Sequence, residues 1–201
     1  MNSEQHLILH GLAIKKYADA GAVAGIIGMD PGRVAAVLKE NVARGRVLET
    51  NGKYTLSPTT RVSLTGDYSR FCSELRQNQD FVRTYEEFER VNTALKTLIT
   101  DWQIMEVAGS SVANDHSDKA YDSRIIDRLG NLHERADRIL EKFASHLPRL
   151  QVYRDKLTQA LEHAEDGAIE WVSDAKIESY HTLWFELHED LLCMLGRTRS
   201  E

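Results

Sequence analysis

Cysteine is nearly absent from this chain: two residues, Cys72 and Cys193, in 201. They lie far apart, each inside a helical pattern, which excludes a disulfide framework and a zinc spacing and leaves two small buried hydrophobes in a reducing compartment. Long apolar runs are missing as well. No window reaches the roughly 18 uninterrupted apolar residues of a membrane span, and the opening MNSEQHLILHGLAIKK shows no basic leader before a long apolar stretch. The expectation is a cytoplasmic protein with no membrane partner. There is no surplus of positive charge, with 25 Lys and Arg against 31 Asp and Glu and a net charge of −6, so nucleic acid is not coated along the whole surface. A phosphate-cradling glycine loop, a Ser or Cys nucleophile in an elbow and a paired-carboxylate constellation are all missing, so neither an enzyme nor a cofactor is expected.

What is present is a core-forming composition, 42 % hydrophobic, with an uneven distribution of charge. Residues 1–65 hold eight Lys and Arg against five Asp and Glu, whereas residues 66–201 hold seventeen against twenty-six. A basic head on an acidic body is expected, with the boundary near residue 65.

The head parses into elements. Leu7, Ile8, Leu12, Ile14 and Tyr17 recur at helical spacing over about residues 4–18, and Gly21 interrupts them. Ala22, Val23, Ile26 and Ile27 form a short apolar helix that Gly28 ends. Asp30-Pro31 then supplies a cap and a first helical residue for a third helix reaching about Arg44, with Val34, Val37, Leu38 and Val42 inward. Val47 to Leu56 turns at Asn51-Gly52, whose residues both accept positive φ, and so predicts a β-hairpin.

Three helices followed by a hairpin predict a winged helix. The stretch GIIGMDPGRVAAVLKENVARGRVLETNGKYTLSP resembles bacterial winged-helix regulators of the MarR and GntR kinds, the matching positions being Gly45, Val47, Tyr54, Leu56, Ser57 and Pro58. The resemblance covers about 60 residues and implies a DNA-binding head whose third helix enters the major groove. On that footing Arg33 is the base-reading candidate, and Lys39, Arg44, Arg46, Lys53 and Arg61 suit phosphates. Gly32, Ala36 and Ala43 bring no hydrogen-bonding side chain, and Glu40 repels phosphate. A winged helix that docks on a protein instead is the competing expectation.

The body reads as an antiparallel helical bundle, making the fold class mostly α. Apolar periodicity runs over residues 67–105 with a break and cap at Gln77-Asn78-Gln79-Asp80, then over 122–146, from Pro148 to Ala164, and over about 176–195. Residues 107–121 read as a loop. The last helix carries a seam of Ile177, Tyr180, Trp184, Leu187, Leu191 and Met194 with further apolar residues at Leu183, Phe185, Leu192 and Leu195. Two apolar faces place it either at the centre of the bundle or in a homodimer contact.

Six histidines fall in the body. The resemblance to GntR-type regulators implies a metal held by an Asp and several His, which would cast Asp101, His133, His181 and His188, but the helix order and spacings do not align with that pattern. These side chains are read as structural, and no metal is expected. Glu186, Glu189 and Asp190 beside His188 read as a solvated helix face. If a small-molecule effector binds, the aromatic supply points to Trp102, His133, Trp184 and His188 as ligand-binding residues. The expectation is a transcriptional regulator with double-stranded DNA as partner, acting as a homodimer; the alternative is a module for protein docking.

Overall fold

A computed structural model describes residues 1–107 and 109–199. The chain is mostly helical, with ten α-helices and two small antiparallel hairpins among the described residues. Helix α1 spans Ser3–Lys15, α2 Ala20–Ile27 and α3 Pro31–Ala43, and each begins on a side-chain cap: Asn2, Asp19 and Asp30 accept from the backbone N–H groups of Gln5, Ala22 and Arg33. Strand β1 (Val47–Thr50) pairs with β2 (Lys53–Leu56) in the register Val47↔Leu56 to Thr50↔Lys53. Asn51 and Gly52 both take positive φ at the turn, 52° and 75°. Ala18, between α1 and α2, exchanges backbone hydrogen bonds with Tyr54 and so adds a single-residue bridge to β2. Gly11 lets α1 and α2 approach closely: a Cβ there would lie 2.7 Å from Ile27 Cγ2.

Helix α4 (Pro58–Phe71) opens on Ser57 and Pro58 and crosses residue 65, so the expected boundary between head and body falls inside a continuous helix. After α5 (Ser73–Gln77), the cap expected at Asn78 is present, its side chain accepting from Asp80 and Phe81 as α6 (Gln79–Gln103) begins. Residues expected to form a helix end and a loop instead contain a second hairpin, β3 (Ile104–Val107) with β4 (Ser110–Ala113); Gly109 takes φ 81° at its turn. Ala108, within the expected loop, and residues 200–201, at the end of the expected body, lie outside the described residues. Asn114 closes the base of this hairpin, donating to the Trp102 carbonyl at 3.0 Å and to Asp122 at 2.9 Å.

Helix α7 (Lys119–His146) returns along α6, and a 3-10 turn at Pro148–Leu150 leads into α8 (Gln151–Glu165), which packs on α7. A one-turn α9 (Glu170–Ser173) precedes α10, which starts at Tyr180 rather than near 176 and ends at Leu195 on a left-handed Gly196. Helix α10 contacts α1, α4, α5, α6, α8 and α9. Both of its apolar faces are spent inside this single chain, and Phe185 is its one exposed large hydrophobic residue. A continuous apolar core therefore runs from Ile8 and Leu12 of α1 to Leu187 and Leu191 of α10. Among the described residues no single helix is long and apolar enough to cross a membrane.

Candidate nucleic-acid interface

The amphipathic pattern of α3 buries Val34, Val37 and Leu38 and turns Gly32, Arg33, Ala36, Lys39, Glu40 and Ala43 to solvent. Two of the six cations expected to face DNA are already paired within the chain. Arg33 makes a two-pronged contact with Glu4 of α1, Nε to Oε1 and Nη2 to Oε2, both 2.7 Å. That hydrogen bonding lowers the pKa of Glu4 and raises that of Arg33. Arg44 pairs with Glu40 one turn earlier at 2.6 Å. Both pairs are open to water, where such contacts are weak and exchangeable.

The other four are dispersed. Lys39 is exposed and has no ion pair among the described residues. The Lys53 ammonium lies 5.5 Å above the Tyr17 ring, and the Tyr17 hydroxyl donates to the Thr50 carbonyl, so that ring braces the hairpin tip. Arg46 lines a cleft between α1 and α4 with Met1, Thr59, Ser63 and Asp67. Arg61 is exposed on α4.

Behind this surface lies a buried polar joint that local sequence patterns did not reveal. Asp190 of α10, 0 % exposed, accepts two hydrogen bonds from Arg149 (2.6 and 2.7 Å) and one from the Tyr153 hydroxyl (3.1 Å). His10 of α1 reaches the same carboxylate through Nε2 at 2.8 Å, while its Nδ1 meets the Tyr68 hydroxyl at 2.8 Å. Donation from Nε2, with Nδ1 accepting from Tyr68, is the tautomer that satisfies both contacts. Burial opposes the charge on Asp190, but Arg149 and His10 outweigh it and hold the carboxyl far below the usual range.

A second ionic contact joins the same helices. Lys15 of α1 lies 2.7 Å from Glu178 and 2.9 Å from Glu186, and Lys156 of α8 shares Glu178 at 2.7 Å. Burial works against the Lys15 charge, yet Glu186 and Glu178 together raise its pKa. For Glu186 burial dominates and the pKa rises despite Lys15; its Oε2 is in ion contact without hydrogen-bond geometry. The expectation of a solvated face at Glu186, His188 and Asp190 is thus corrected: all three are buried, and only Glu189 is half-exposed. They point inward because α10 is surrounded, and each charge has found a partner from another helix.

Comparison with family models, curated proteins and solved structures finds no match.

The four expected effector residues do not share a pocket. Trp102 is buried at the end of α6, its ring 4.5 Å from that of His116. His133 bridges α7 to its neighbours, Nδ1 meeting Tyr180 at 3.1 Å and Nε2 meeting Thr158 at 3.2 Å; burial lowers its pKa. His188 pairs with Glu89 at 2.7 Å, and burial, only partly offset by Glu89, lowers its pKa too. Trp184 stacks on Phe88 at 4.8 Å and donates through Nε1 to Asn92 at 3.0 Å. Of the four, Trp184 alone lines the cleft between α6 and α10. Asp101, considered for a metal, is bound to Arg128 at 2.7 Å, and no three His, Cys, Asp or Glu side chains converge as a metal set among the described residues.

Proposed function

We propose that this protein is a DNA-binding transcriptional regulator whose residues 1–65 form a winged helix and whose acidic helical body joins two copies into a cytoplasmic homodimer. The observation that carries the reading is the order α1, bridging residue Ala18, α2, α3, β1, β2, with the Ala18–Tyr54 bridge tying the hairpin to the helices. In such an arrangement α3 is the element offered to the major groove and the hairpin flanks it. Lys39, Lys53 and Arg61 supply phosphate contacts, Arg44 joins them once phosphate replaces Glu40 as its partner, and Arg33, released from Glu4, reads a base edge. Arg46, turned into the α1–α4 cleft, contributes least. A weak reader of this kind gains affinity by being presented twice on a palindrome.

One observation favours docking on a protein partner instead. The exposed face of α3 offers Gly32, Ala36 and Ala43, and Arg33 on it and Arg44 at its end are paired with carboxylates inside the chain. Fluorescence anisotropy separates the readings. Labelled genomic fragments, including the region upstream of the protein's own reading frame, are titrated at about 50 and about 200 mM salt. Tight binding to one fragment, lost steeply with salt and weakened by Arg33→Ala with Lys53→Ala, supports the regulator. A folded protein without DNA affinity at the lower salt supports protein docking.

A further inference from the structure

The cleft between α6 and α10 has a volume of about 430 Å³, within the roughly 300–1,000 Å³ range of small-molecule sites. Its walls are Leu95 and Ile99 of α6 and Trp184 and Phe185 of α10. The Trp184 indole is fixed there, stacked on Phe88 and tied by its N–H to Asn92. Phe185 is 37 % exposed, the one large hydrophobic residue of α10 left open to solvent.

The charges at this cleft have the opposite sign to the body that carries it. Lys96 and Arg199 line it, and Lys96 has no ion pair among the described residues. Arg199 stands 4.2 Å over the Phe185 ring and is shared with Glu189 at 3.4 Å. A third cation, Lys16, stands 4.9 Å from that same ring. Residues 66–201 carry nine more acidic than basic side chains, so Lys96 and Arg199 at one cleft, joined by Lys16 from the end of α1, form a local exception. A neutral apolar ligand gains nothing from them, and a cationic one is repelled.

We propose that this cleft binds a small organic anion with a flat apolar body, the body lying against Trp184, Phe185, Leu95 and Ile99 and the acid group meeting Lys96 and Arg199. The aliphatic pair on one wall and the aromatic pair on the other suit a ring or short chain. Cations stacked over the Phe185 ring are well placed to take the charge without losing their contact with that ring. The site does not depend on the DNA-binding reading, because its occupancy is measured without nucleic acid.

The test uses the full chain and two dyes of similar shape. Anilinonaphthalene sulfonate carries an acid group; N-phenyl-1-naphthylamine lacks it. Titration is followed by dye emission and by quenching of tryptophan emission, with far-ultraviolet circular dichroism and a thermal melt confirming that each variant is folded. The expected result is one saturable site for the sulfonate and affinity for the neutral dye weaker by about tenfold. Lys96→Glu with Arg199→Glu lowers sulfonate affinity by about tenfold or more and leaves the neutral dye within about twofold. Ile99→Trp, which fills the cleft, abolishes binding of both, and Trp184→Phe removes most of the quenching. Equal affinity for the two dyes, sulfonate binding unchanged by the double charge reversal, or binding retained in a folded Ile99→Trp variant overturns the proposal. Sedimentation of the wild type and Phe185→Ser checks one rival occupant. If Phe185→Ser converts a dimer to a monomer and the sulfonate finds no site, the cleft is a contact between copies and the proposal fails.

Discussion

Replacing Asp190 by Asn tests the buried joint most directly. The carboxylate is fully buried and receives four hydrogen bonds, two of them from a guanidinium that is itself only 10 % exposed. The amide keeps the shape and can still accept from His10, but it leaves the Arg149 charge without a counter-ion in a low-dielectric setting. Loss of one partner of a buried pair costs about 3–5 kcal/mol. For a chain of this length that lowers Tm by about 6–20 °C. Arg149→Met should cost less, since Asp190 keeps the hydrogen bonds from His10 and Tyr153. The decisive variant carries both changes. With both charges gone, His10 can still donate to the amide oxygen, and the Tyr153 hydroxyl, which meets the other carboxylate oxygen, can accept from the amide NH2. Arg149→Met introduced into Asp190→Asn should therefore recover about 2 kcal/mol or more. Thermal and urea unfolding of the four proteins closes the cycle. If Asp190→Asn costs less than about 1 kcal/mol, or if the second change adds to its cost, the account of a mutually neutralising buried pair is wrong.

Stability should fall on acidification for a reason located at His6. Burial, with His10 nearby, lowers the His6 pKa to about 4, so below its ordinary 6.5 the unfolded chain takes up a proton that the folded chain refuses. The contribution is complete above about pH 6.5 and is lost as pH falls toward 4, on the order of 2 kcal/mol after allowance for solvent screening. Urea midpoints between those pH values should show a flatter slope for His6→Phe than for the wild type; equal slopes would place the effect elsewhere. Gly11→Ala should destabilise the head by about 1–2 kcal/mol, because its Cβ meets Ile27 and Val23 across the α1–α2 contact and overpacking exceeds the helix-propensity gain; a rise in Tm would contradict this. Glu4→Gln releases Arg33 and should tighten binding to a preferred DNA fragment at low salt in the anisotropy assay, while unchanged affinity would remove Arg33 from the DNA contacts.

The sequence made several local features of head and body legible. The break at Asn78, the start at Asp30-Pro31 and the turn at Asn51-Gly52 are short-range devices in which a residue acts on its immediate neighbours, and each stands where its chemistry placed it. The hairpin β3–β4 was hidden because its sequence, rich in small and polar residues, lacks the alternation that marks a half-buried strand, and its β4 residues are indeed exposed. The four expected effector residues lie apart for a different reason. Periodicity tells which way Trp102, His133, Trp184 and His188 turn from their own helices, inward in every case, but not which inward-facing residues meet. His10 and Asp190 are 180 positions apart, and nothing in either local pattern announces the other.

The charged residues of α10 are where pattern reading and physical cost part company. A helix with Glu186, His188, Glu189 and Asp190 in one stretch invites a solvated face, because an unpaired buried charge is prohibitive. The chain escapes that cost by drawing partners from other helices: Lys15 to Glu186, Arg149 and His10 to Asp190, Glu89 to His188. Two of those partners, His10 and Lys15, come from α1, the first helix of the head. Apolar packing alone tolerates a slide of one helix along another, whereas these contacts are satisfied in one register only. We infer that they fix how α1 sits on α10. On that account His10→Phe with Lys15→Met, which removes both polar contacts from α1 to α10, should loosen the position of the head. Amide exchange along α1, faster in a double variant that melts near the wild-type temperature, would show register and stability to be separable here; unchanged exchange would assign the register to apolar packing.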